Sequence, residues 1–164
     1  LSAFLAGLDD SSLMFIRREV YAKFFVLAPA GEEYFKQSTT RLHFIADKLC
    51  SMTLDMYKEP KKMVQDLSAL GLRHVGYGIP AELSGPFVSS YVAALKQARS
   101  EKDGLEAFEW SLMLISRILA RVINEGSTLV MRAINANSAK QLTKAVALAP
   151  RSERAEWVLN VTVG

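Results

Sequence analysis

The stretch "LGLRHVGYGIP", residues 70–80, sets an imidazole, that of His74, between a leucine-rich helical pattern and a turn broken by Gly76 and Gly78. Leu70, Leu72, Val75 and Ile79 give it apolar neighbours in sequence. A histidine so placed has two uses. As a cap, it meets the last carbonyls of a helix, where the dipole favours positive charge. As a ligand, a neutral imidazole in apolar surroundings suits an iron porphyrin, a large flat apolar body with an axial position to fill. The rest of the chain offers little competing chemistry. His43 is the only other histidine and Cys50 the single cysteine, so a protein-only metal cluster or a Cys–His catalytic pair lacks material. Glycine-rich phosphate loops, HExxH, GxSxG and paired cysteines are all absent from the sequence. An enzyme built from side chains alone is therefore not expected.

The elements that must position His74 read as helices nearly throughout. "SSLMFIRREVYAKFFVLAP" starts with Ser11 or Ser12 as cap, repeats apolar residues at Leu13, Ile16, Val20, Phe24 and Val26, and closes at Pro29. Pro29 then opens a short helix with Glu32 and Glu33 in its first turn. A second long pattern uses Leu42, Ile45, Leu49, Met52 and Met56 and stops before Pro60. A third begins near Pro60 with Met63, Val64, Leu67 and Leu70, frays at Gly71 and ends by Gly76 and Gly78. A fourth starts near Pro86, and a fifth after "SEKDG" carries Phe108, Leu112, Ile115, Leu119 and Val122. Beyond Gly126 the chain changes character. A short helix over 139–148 is followed by Pro150 and by "WVLNVTVG", which reads as a strand or the start of a linker. The expectation is an all-α fold with one domain over 1–126 and an extension or linker over 127–164.

Composition fits one domain of this kind. The chain has 164 residues, half of them hydrophobic, enough for a sizeable core. Twenty basic residues against 17 acidic, with no block of one sign, do not point to nucleic acid or an anionic membrane surface. No apolar run approaches a membrane span, and "LSAFLAGLDD" lacks the basic start of a secretory signal. With one cysteine, the default expectation is a reducing, cytoplasmic location. The start at Leu1 suits excision from a longer chain.

"VYAKFFVLAPAGEEYF" places Tyr21, Pro29 eight residues later and Phe35 six after that. In this spacing, with the "LGxxHxxxG" pattern around His74 and Trp110 in "AFEWSLMLISRIL", the chain resembles the globin family over roughly residues 11–126. The proximal motif is similar to that of globin-coupled sensors, and Tyr21 to that of flavohaemoglobins. The resemblance implies a globin-like helical sandwich holding haem b. His74 would bind the iron, its other ring nitrogen donating to a backbone carbonyl or hydroxyl, with Ser68 or Leu70 as acceptor. Phe35 would pack on the porphyrin, Ile79 lie at its edge, and Arg73 and Lys48 pair with propionates. Tyr21 would donate to bound O2, or else be a core tyrosine whose hydroxyl needs a partner. Leu42, Ile45 and Leu49 would line the gas side. His43 falls in the distal range yet sits beside the apolar stripe, near Arg41 and Asp47, on what reads as the wetter side.

Three departures stand out: a first helix shortened to "LSAFLAGL", Ser84 where many relatives keep an aromatic, and the extension after Gly126. The resemblance implies reversible binding of O2, NO or CO. It also admits a gas-sensing domain, fused or docked to an effector domain and dimerising through the Phe108 to Val122 stripe. An NO dioxygenase would need electrons from an external reductase.

Overall fold

The computed structural model describes residues 1–155, and these are all-helical. Eight α-helices follow in order: α1 Ser2–Ala6, α2 Asp10–Leu27, α3 Thr39–Lys58, α4 Pro60–Gly76, α5 Ser84–Ala98, α6 Lys102–Gly126, α7 Leu129–Asn135 and α8 Ala139–Leu148. Short 3-10 helices at Pro29–Glu33 and Ala81–Leu83 precede α3 and α5. The expected strand or linker over 157–164 lies outside the described residues.

Local chemistry sets most of the boundaries. Asp9, not Ser11 or Ser12, caps α2, its carboxylate accepting the Ser12 N–H at 2.8 Å. A carboxylate there also suits the helix dipole. Ser38, Thr128 and Ser138 do the same through hydroxyls for α3, α7 and α8. Pro29 and Pro60 occupy first-turn positions, where a missing N–H costs nothing. One expected break does not occur: α4 runs unbroken through Gly71. A Cβ there would lie 2.5 Å from Cγ1 of Val122, so the glycine marks a close approach of α4 to α6.

The chain forms two compact units. The first comprises Leu1–Gln65 and Glu82–Arg117, the second Asp66–Ala81 and the chain from Ile118 onward. Described residues after Gly126 fall in the same unit as His74, and there α7 supplies Met131 to a small core with Val75, Ala81 and Ile123.

Within the first unit, α2 packs along α5. Its core holds Phe4, Ile16, Val20, Tyr21, Tyr91, Leu95, Phe108 and Leu112. Phe24 meets Phe35 and Phe87 edge-on at 5.3 and 5.2 Å between centroids. Arg17 holds both carboxylate oxygens of Asp47, at 2.8 and 2.9 Å, joining α2 to α3. Tyr91, nearly fully buried, donates to the Ala46 carbonyl at 2.8 Å, and its hydroxyl lies 2.9 Å from Sγ of Cys50. Phe108 and Leu112 belong to this core and Ile115 is buried too. The stripe expected to seat a second copy is thus turned into the chain's own interior at those three positions.

Candidate functional site

His74 stands in the last turn of α4, and a Schellman closure holds that turn. The Ile79 N–H donates to the His74 carbonyl at 2.9 Å and the Gly78 N–H to the Val75 carbonyl at 3.0 Å. Gly78 adopts φ +68°, the left-handed conformation this closure requires of the residue past the helix end. The "HVGYGI" spacing is thus a helix terminator with His74 on its first closing carbonyl.

The ring itself is tied one turn back. Nδ1 lies 2.8 Å from the Leu70 carbonyl oxygen. A carbonyl only accepts, so Nδ1 carries the proton in this bond, and Nε2 is left as the lone-pair nitrogen. Burial pushes the His74 pKa below the ordinary histidine value; the Leu70 bond opposes this, and the neighbouring Arg73 charge adds to it. Both effects of surroundings favour the neutral ring, the form that can coordinate a metal. Among the described residues no group of three or more His, Cys, Asp or Glu is placed to hold a metal ion.

The remaining residues singled out in the sequence divide between the two units. Leu70, Arg73, His74 and Ile79 belong to the second; Tyr21, Phe35, Leu42, His43, Ile45 and Leu49 belong to the first. Arg73 is exposed and Ile79 half-buried. In the first unit Tyr21 is buried, and its hydroxyl donates to the Leu42 carbonyl at 2.7 Å. Phe25, Phe35 and Phe87 surround its ring at centroid distances of 6.2, 5.8 and 5.9 Å. Burial, with a lesser contribution from the Asp47 charge, pushes the Tyr21 pKa far up, so the hydroxyl stays protonated. Phe35 stacks on Phe87 at 5.9 Å with 12° between planes. Leu42 and Leu49 pack on the edge of this core, and Ile45 is half-buried.

His43 is also half-buried, and Asp47, one turn on, is committed to Arg17. Trp110 is 57% exposed on α6, 6.4 Å from the ring of Tyr57. Ser84, where an aromatic is expected from the resemblance, opens α5.

One residue at the His74 corner escaped the reading of the sequence. Asn135, the last residue of α7, donates from Nδ2 to the Val75 carbonyl at 3.0 Å. The available signal was the Thr128 cap followed by apolar Val130, Met131 and Ile134, which marks a helix ending at this asparagine. No protein-family model, no curated protein and no solved structure matches the chain.

Proposed function

We propose that this chain is a globin-like protein that holds haem b through Nε2 of His74 and reversibly binds O2, with NO or CO as alternative ligands. The observation that carries the reading is the 2.8 Å bond from Nδ1 of His74 to the Leu70 carbonyl. It fixes the tautomer, makes the ring a better donor and leaves Nε2 with the lone pair that a ligand needs. The depressed pKa supports the same assignment, since a ligand must be unprotonated. The haem would supply an iron position for the gas. His74 would anchor and orient it, Arg73 would pair with a propionate, and Ile79 would lie at its edge. The globin resemblance would assign Phe35 to the porphyrin face, Leu42, Ile45 and Leu49 to the gas side, and His43 to that side as a secondary candidate.

Tyr21 is the hydroxyl proposed to donate to the gas. In the folded chain that hydroxyl is held by the Leu42 carbonyl, so a bond to the gas would replace this one with a more negative acceptor.

A sensory role for the domain is the second reading. The packing of Met131 beside Val75 favours it, because the extension then touches the segment that carries the iron ligand.

Haemin titration of the purified chain tests the proposal. A Soret band that is lost or displaced in His74→Ala, and restored by free imidazole in His74→Gly, is the expected result. No Soret band in the wild type, or an identical band in His74→Ala, removes His74 as the haem ligand. In the same preparation Tyr21→Phe speeds O2 dissociation by about tenfold or more, the worth of a hydrogen bond to a charged acceptor. An unchanged rate leaves Tyr21 as a tie between α2 and α3 alone.

A further inference from the structure

The segment after Gly126, which the sequence presents as an appendage, ends its first helix on the carbonyl next to His74. The Val75 oxygen accepts two donors, the Gly78 N–H and Nδ2 of Asn135, each at 3.0 Å. The same asparagine lies over the turn: a Cβ on Gly78 would stand 3.4 to 3.6 Å from its Nδ2, Cγ and Cβ atoms. Asn135 cannot drift freely, because Val130 and Met131 anchor α7 in the interior, Met131 with Val75 and Ala81 on either side of the turn. Beyond it the chain also closes back, the Ser138 N–H donating to the Ala133 carbonyl at 3.0 Å.

We infer that Asn135 is a positioning residue for His74, and that α7 is a clasp whose closure on the Val75–Gly78 turn holds the imidazole in place. The role rests on the haem reading for its purpose, though not for its existence. Val75 follows His74 directly, and the His74 carbonyl is itself tied into the closure by Ile79. Releasing Asn135 frees one of the two bonds on the Val75 oxygen and uncovers Gly78. The last turn of α4 then opens more often, and with it the Leu70 bond that sets the tautomer of the ring. Coupling of this kind is reciprocal: whatever steadies His74 also steadies α7, and a pull on α7 is felt at the ring. It gives α7 a polar route to the candidate iron ligand beside the apolar contact of Met131 with Val75.

Two full-chain variants test it: Asn135→Leu, of similar volume with no polar group, and Asn135→Asp, of similar shape with no N–H to give. Hydrogen exchange is read on the haem-free chain at the Tyr77, Gly78 and Ile79 amides, all of which donate within the closure. Both variants should exchange there about tenfold faster, with the α2 amides unchanged as evidence of folding. Ring nitrogen shifts of His74 should move from the Nδ1–H form toward a mixture, while His43 serves as an internal standard. Equal exchange and unmoved His74 shifts in both variants would overturn the inference. Haemin supplies the reciprocal arm, in which it slows exchange across residues 129–135 of the wild type and does so less in either variant. A Soret band without that slowing overturns the coupling and leaves the haem reading standing. A wild type without a Soret band removes the haem reading, while the haem-free exchange still decides the clasp.

Discussion

His74 donates one ring proton to Leu70 and loses solvent to its neighbours, and the second effect prevails in its titration. With its native pKa below the ordinary value near 6.5, the unfolded chain binds a proton that the folded chain does not. Stability from this residue is therefore complete above about pH 7 and declines as pH falls through 6.5 toward the lower native value. Urea midpoints measured from pH 7.5 to pH 5.5 should fall more steeply for the wild type than for His74→Gln. Parallel slopes would mean that the ring is no more desolvated in the folded chain than in the unfolded one. At the same scale the sequence left His74 with two readings, cap or ligand. In the structure the ring does not serve as that cap: Nδ1 meets the Leu70 carbonyl, inside the helix, while backbone N–H groups close the last turn, and Nε2 keeps a lone pair. Sequence alone does not give this, because it does not say which nitrogen meets the Leu70 oxygen. Tyr21 was legible as either distal donor or core tyrosine. Its bond to Leu42 joins residues 21 positions apart, a pairing that no local pattern announces.

Between elements, Gly71 is the most informative position. An alanine there gains helix propensity of about 1 kcal/mol but drives its Cβ into Val122, a stiff branched side chain. Overpacking of this kind costs about 1–3 kcal/mol, so Gly71→Ala should be net destabilising by about 1 kcal/mol in chemical denaturation. Gly85, with no atom within 4 Å of an added Cβ, is the control, and its alanine should leave stability unchanged or slightly raised. Combining Gly71→Ala with Val122→Ala should cost less than the two separately. In sequence Gly71 suggests a frayed helix end, because a glycine's backbone freedom is visible there, whereas the residue it makes room for lies far along the chain. Elements with local punctuation read well. Ser138 and Pro150 bracket α8, and Pro60 separates α3 from α4. The α7 helix was missed because seven residues offer barely two turns of periodicity. On α6 the spacing shows that Phe108, Leu112 and Ile115 share a buried face. It does not show what covers them, and that cover is the chain itself.

For the molecule as a whole, chain order and spatial grouping differ. The chain leaves the first unit after Gln65, returns at Glu82 and leaves again after Arg117. A boundary drawn by composition at Gly126 separates residues that share the small core around Val75. No described helix is long and apolar enough to cross a membrane. The absence of paired cysteines, first read as a lack of chemistry, has a practical use. Burial raises the Cys50 pKa, with the Tyr91 hydrogen bond opposing, so the thiol is held as S–H. Alkylating reagents attack the thiolate, so the raised pKa and the partial burial of Cys50 both slow them. Native alkylation should run roughly tenfold slower than in the urea-unfolded chain, and Tyr91→Phe, which removes the hydrogen bond that lowers the pKa, should slow it further. Equal rates in folded and unfolded chains would show that the thiol is freely reached. With one thiol to modify and no disulfide to confuse the count, Cys50 is a single-site probe: its labelling time, read by mass, reports how far the first unit holds the thiolate back.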